Sequence, residues 1–295
     1  PGFDLTFSVP KSVSVAYALA DRRVQHLIVT ACEAALSETL GWLEREACFV
    51  RRGTNKAENR DTWGEAWGTR RMVARGFVGA AYRHRTSRAG DPHLHWHVLV
   101  ANVAQGMDGR WSALDGRAIY DTARTGGAVF QAAMRRELTT ALGVEWGPVH
   151  EDAAEIAGVP HAVLREFSQR HEEIVEWLDD AGEAGPAAAA VAQRATRRAK
   201  QMPADVAAVE AIWHARAENA GWGPADLEQL LASAVPSAVS GGFVIEDESW
   251  RHGVRSVTTR LVGFDEWLDW LLDHRVTAHD GAFTRFDLTR AVAST

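Results

Sequence analysis

DPHLHWHVLVANV (residues 91–103) sets His93, His95 and His97 at alternate positions against Leu94, Trp96 and Val98, and then runs into an apolar segment. A period of two is the signature of a strand with one buried and one open face, so the histidines share the open face. Same-face neighbours on a strand stand roughly 7 Å apart, a span from which two imidazoles reach one ion at about 2.0–2.1 Å each. His84 ends the preceding strand-like stretch across a polar turn, so His84, His95 and His97 are candidates for a neutral three-nitrogen metal site with open positions. The competing reading is surface or core histidines satisfied by hydrogen bonds. Imidazole does not by itself choose among Mg, Mn, Zn, Ni and Co, so one divalent ion of open identity is expected. His93, following Pro92, is read as substrate-facing or structural.

Outward from that strand, GFDLTFSVP (2–10) alternates Phe3, Leu5, Phe7 and Val9 with Asp4, Thr6 and Ser8, a half-buried strand stopped by Pro10. Ser12 is placed to cap the helix that follows, and a second helix is expected from Arg22 to Ala47. A short strand is expected at 48–52, a loop with Trp63 and Trp67 over 53–70, and a strand up to His84. The His-bearing strand is expected from Leu94 to Val103, closed into a hairpin by GMDGRW through Asp108 and Gly109. A helix over 117–142, a brief strand at 144–146 and a largely helical remainder after Pro160 complete the pattern. The fold class is therefore α+β (α/β two-layer): a central antiparallel sheet carrying the histidines, flanked by helices, with a mainly helical C-terminal part.

The chain of 295 residues is 46% hydrophobic and 24% charged, ordinary for a globular protein with a sizeable core. Cys32 and Cys48 form no disulfide framework and are expected to be reduced thiols. No apolar run has the length of a membrane span and no signal pattern opens the chain, so a cytoplasmic location without membrane insertion is expected. Pro1 sits directly against a strand, which suggests an internal piece of a longer protein. The net charge of −7 divides into +4 over the first 150 residues and −11 over the rest, as expected of a polyanion-binding region joined to one that does not touch the polyanion.

GFDLTFSVPKSVS, YRHRTSRAGDPHLHWHVLVANV, DGRWSALDGRAIY, LREFSQRHEEIVEW and RATRRAK, in this order over residues 2–222, resemble the relaxase domain of MobF-type (TrwC/TraI-like) conjugative relaxases of the HUH endonuclease superfamily. The resemblance implies metal-dependent nicking and rejoining of one DNA strand at an origin of transfer through a 5′-phosphotyrosine link. It also implies partners: single-stranded or hairpin origin DNA, accessory transfer proteins, and a helicase region. VTAHDGAFTRFDLTRAVA (276–293) resembles the start of such a helicase region, giving a relaxase domain at 1–222, a linker at 223–242 and a small α+β segment at 243–295.

Asp4 matches the family's aspartate, either as a base toward the tyrosine or, favoured here, as the group that fixes the tautomer and tilt of a metal histidine. The family's nucleophilic tyrosines precede the FDLTFS strand. Tyr17, Tyr82 and Tyr120 do not match them, so the chain alone is expected to be inactive for lack of its nucleophile. Relatives usually carry Gln at the position of His93 and Thr at that of Trp96. Arg51, Arg52, Lys56, Trp63, Trp67, Arg85 and Arg88 are expected along the DNA groove, with Lys11 and the amides at the start of the first helix holding one phosphate. Two other readings compete: an inactive single-stranded-DNA-binding module from a degenerate relaxase, and an unrelated metal hydrolase, which leaves FSVPKSVS unexplained.

Overall fold

The computed structural model describes residues 2–53, 70–196, 205–234, 243–251 and 254–262. The chain opens with β1 (Gly2–Ser8), α1 (Lys11–Leu19), α2 (Arg22–Ala47), β2 (Phe49–Arg52), β3 (Arg70–Val73), β4 (Gly79–Thr86) and β5 (Pro92–Ala101). A small hairpin, β6 (Ala104–Gln105) and β7 (Trp111–Ser112), leads into the long α3 (Gly116–Leu142). Then come α4 (His161–Glu166), α5 (Gln169–Ala181), α6 (Pro186–Ala195), α7 (Val206–Asn219) and α8 (Pro224–Ser233), and a two-stranded ribbon of β8 (Phe243–Arg251) and β9 (Val254–Val262). The α+β architecture and the largely helical C-terminal part agree with the sequence pattern.

β5 is the middle strand of an antiparallel sheet ordered β1-β5-β4. Its apolar face explains that place: Leu94, Trp96, Val98 and Val100 are each no more than 5% exposed. Phe7 on β1 continues this face and meets Phe130 of α3 with ring centroids 5.4 Å apart. α1 packs on β5, and α2 packs along α3 where Gly126 leaves room for Leu43. The opposite face of the sheet carries Asp4, Thr6 and the histidines.

Local signals set several boundaries. Asp21 caps α2 by accepting from the Val24 amide at 2.8 Å. Gly143 ends α3 in the left-handed region at φ 70°, a conformation that costs glycine little. Gly109, at φ 79°, makes the expected turn, but it joins β6 to β7 rather than extending β5, which stops at Ala101. The reason is that Asn102 turns its side-chain oxygen to the Leu114 amide at 3.0 Å, which takes the chain out of the sheet.

Two further expectations are corrected. Pro10, not Ser12, stands at the N-cap of α1 and offers no side-chain bond. Ser12 is buried inside the helix, where its hydroxyl accepts from the Ile156 amide at 2.7 Å. The helix start is capped from 143 residues away: the Glu155 carboxylate accepts from the amides of Lys11 at 3.3 Å and Ser12 at 2.6 Å. The strand expected at 144–146 is a single bridge between Trp146 and Ile156. Within 223–242 stands α8, formed because Leu227, Leu230 and Leu231 repeat at helical spacing and dock on the core, Leu227 at 2% exposure.

Candidate metal centre and its cleft

β5 and β4 pair so that His84 lies opposite His95, while β1 places Thr6 opposite His97. The imidazoles of His84, His95 and His97 converge, with centroids 5.0–5.2 Å apart. One ligand nitrogen from each lies within 4.8 Å of the other two.

Two rings have their outer nitrogens tied. His97 Nδ1 meets the Asp4 carboxylate at 2.9 and 3.0 Å and Thr6 Oγ1 at 3.2 Å. His95 Nδ1 donates to the His93 carbonyl at 2.8 Å. A nitrogen that donates outward leaves Nε2 unprotonated as the ligand atom, which is how carboxylates and carbonyls prepare histidines for metals. The donor set therefore fits a divalent ion: three imidazoles on one common focus, two of them held with Nε2 turned inward as ligand atom.

His93 shares the face and stacks near His95, 4.5 Å between centroids, but is not one of the convergent three. Burial, the neighbouring His95 and Lys11 lower its pKa to about 4, so it is neutral near pH 7.

The triad floors a cleft of about 600 Å³. Thr86 at the end of β4 with Ser87 and Arg88 of the β4–β5 turn form one side; Arg170 and Ile174 of α5 and Ala190, Gln193 and Arg194 of α6 form the other. Arg170 braces that wall, donating to the carbonyls of Thr196 and Gln193 at 2.8 Å each. Sequence reasoning missed Arg170 and Arg194. Both lie in the acidic half, where summed charge hides single cations, and only the fold brings them over the sheet.

The other candidates are dispersed. Lys11 donates to the Pro92 carbonyl at 2.9 Å, and Glu155 already occupies the amides beside it. Arg51 and Arg71 grip the buried carboxylate of Asp115, which sits ahead of α3. Arg52 holds Asp108 at 2.8 Å and the Arg110 carbonyl at 2.8 Å. Arg85 faces Glu210 at 3.6 Å, and Arg88 alone of these cations lines the cleft. Lys56, Trp63 and Trp67 lie outside the described residues. Tyr17 is buried and Tyr120 exposed; Tyr82, also exposed, pairs opposite His97 on the histidine-bearing face of the sheet, and none of the three is among the residues lining the cleft.

A family model described as TrwC relaxase matches residues 1–220. Multifunctional conjugation protein TraI of Escherichia coli is 30% identical over 191 residues, which is 61% of this chain and 10% of that protein. TraI of Escherichia coli strain K12 is 29% identical over 212 residues, 68% of this chain and 11% of the relative. The match thus spans about a tenth of the length of these relatives. Among solved structures, conjugative relaxase TrwC in complex with oriT DNA in a metal-bound form is 30% identical, with a TM-score of 0.66 over 76% of this chain and 73% of that one. TrwC complexed with a 27-mer DNA comprising the recognition hairpin and the cleavage site is 31% identical, with a TM-score of 0.64 over 76% of this chain and 75% of that one. With three quarters of its residues covered by the family model and the histidine cluster standing in its sheet, this chain belongs to the TrwC relaxase family.

Proposed function

We propose that this chain is the relaxase domain of a conjugative DNA-transfer protein, binding single-stranded or hairpin origin-of-transfer DNA and nicking it with a tyrosine supplied from a segment preceding residue 1. The observation that carries this reading is the convergence of His84, His95 and His97 at the floor of a cleft whose far wall bears arginines. His84, His95 and His97 would hold a divalent ion, which would supply Lewis-acid neutralisation of the charge that builds on a phosphodiester during displacement. Asp4 keeps His97 tilted toward the focus and its Nδ1 protonated. Arg88 and Arg194 offer cationic contacts to flanking phosphates, and neutral His93 can donate a hydrogen bond without adding charge. Tyr82 alone of the three tyrosines stands on the histidine face, opposite His97, and none lines the cleft, which supports a nucleophile from outside it. The same fact is what favours the second reading, a DNA-binding module without chemistry.

We assign the relaxase domain to residues 1–222 with α8 packed on it, and the segment 243–295 to the beginning of a helicase region. The test is a denaturing gel with labelled hairpin oligonucleotides from the DNA flanking the encoding gene, with and without Mn²⁺. This chain should bind but form no covalent adduct, and a version extended upstream should form one. An adduct formed by this chain alone and lost on Tyr17→Phe, Tyr82→Phe or Tyr120→Phe contradicts the external nucleophile.

A further inference from the structure

Both walls of the cleft meet at one carboxylate. The β4–β5 turn closes with the Ser87 amide donating to the Asp91 carbonyl at 2.9 Å, and Gly90 takes φ 84°. The Asp91 side chain leaves this turn for the interior and is wholly buried. One oxygen accepts from the amide of Gln169, the first residue of α5, at 3.0 Å; the other accepts from Arg216 of α7 at 3.0 Å. Arg216 also donates to the side chain and carbonyl of Glu166, at 2.8 and 2.7 Å, and lies over the Phe167 ring at 4.7 Å. α7 reaches the turn a second time, where Trp213 donates to the Gly90 carbonyl at 2.9 Å.

These interactions run on into the cleft. Ser87 and Arg88, in the turn, line one wall; Arg170, the residue after Gln169, lines the other and holds the end of α6 beside Arg194. A buried carboxylate is costly to desolvate, and a turn or a helix start alone can be satisfied by a neutral acceptor. What the charge adds is a second, directional tie to α7, which fixes turn, α5 and α7 in one relative placement.

We infer that Asp91 is a positioning residue: through Gln169 and Arg216 it sets the spacing between the histidine-bearing sheet and the arginine-bearing helices, and so the grip of the cleft on a nucleic acid strand. The grip rests on the DNA-binding reading above; the spacing does not.

The test uses the full chain with Asp91→Asn, which keeps an acceptor for Gln169 and removes the charge, and Arg216→Lys as a second variant that shortens the other arm. Spin labels at Arg83→Cys on β4 and Val191→Cys on α6, both exposed, report the distance between sheet and helices by pulsed electron resonance; the native Cys32 and Cys48 are buried. The expected result is one narrow distance in the parent and a broadened or shifted one in both variants, with Mn²⁺ affinity unchanged. Affinity for a single-stranded dT oligonucleotide should fall by about tenfold, and its salt slope should shrink by about 0.7 for each phosphate that is no longer neutralised. Identical distance distributions in parent and variants overturn the inference, whatever the oligonucleotide does. A parent that does not bind the oligonucleotide while the variants still broaden leaves the spacing role standing and removes the DNA reading.

Discussion

Asp4 and His97, 93 residues apart in sequence, meet carboxylate to Nδ1 at 2.9 Å across the β1–β5 pairing. Replacing such a partner costs about 10–100-fold in metal affinity in comparable sites. Because the Asp4 side chain is half exposed, the lower end is expected: Asp4→Asn should weaken Mn²⁺ or Zn²⁺ binding about tenfold in a calorimetric titration. Unchanged affinity would leave Asp4 with no orienting role.

Removal of one ligand is a larger change than loss of its partner. His97→Ala and His84→Ala should each lower metal affinity by more than about a hundredfold, while circular dichroism of the metal-free protein stays unaltered. His93→Ala should leave metal binding within about threefold, since its ring is outside the convergent set. A variant of His93 as weak as one of His97 would enlarge the ligand set.

Acid should destabilise the metal-free protein in two windows. In the folded chain His93 titrates at about 4 rather than 6.5, so between those values the unfolded chain binds more protons and stability falls as pH falls. For Asp115, burial pushes the carboxyl up, but hydrogen bonds from Arg51 and Arg71 outweigh it and hold it below its ordinary range. Its contribution is complete above the unfolded carboxylate pKa and is lost as pH drops through the lowered one. Melting temperature against pH should therefore flatten in the upper window with His93→Gln and in the lower one with Asp115→Asn.

Glu155 caps α1 from outside the helix. Glu155→Ala should cost about 1–2 kcal/mol, the range for a lost N-terminal cap, or about 2–8 °C in melting temperature for a domain of this size. A shift under a degree would mean that water replaces the carboxylate at no cost.

Arginines should separate by place rather than by charge. Arg194→Ala, in the cleft wall, should weaken oligonucleotide binding and reduce its salt slope by about 0.7 if it holds one phosphate. Arg52→Ala, bound to Asp108 and the Arg110 carbonyl, should leave the slope unchanged and lower the melting temperature instead. The reverse pattern would restore a groove along β2.

Some of this is written in short stretches. The alternation in residues 91–103 gives a strand with one wet face, the alternation in 2–10 gives its partner, and the Asp21 cap with Gly143 gives the ends of the two long helices. His84, His95 and His97 could be named from the same periodicity, because side-chain direction on a strand follows from position alone.

Partner choice was not legible. Ser12 looked like a cap, yet Glu155 took that place; Arg51 and Arg52 read as DNA ligands, and the fold gives each a carboxylate partner, Asp115 and Asp108; Arg170 and Arg194 were hidden in acidic surroundings, yet they reach the cleft. Local backbone preference acts over a few residues, so the sequence by itself determined most of the strands and helices and the histidine face. Hydrogen bonds and ion pairs join whichever groups the packed chain brings within about 3 Å, so only the tertiary structure decided which charges are satisfied and which face the site.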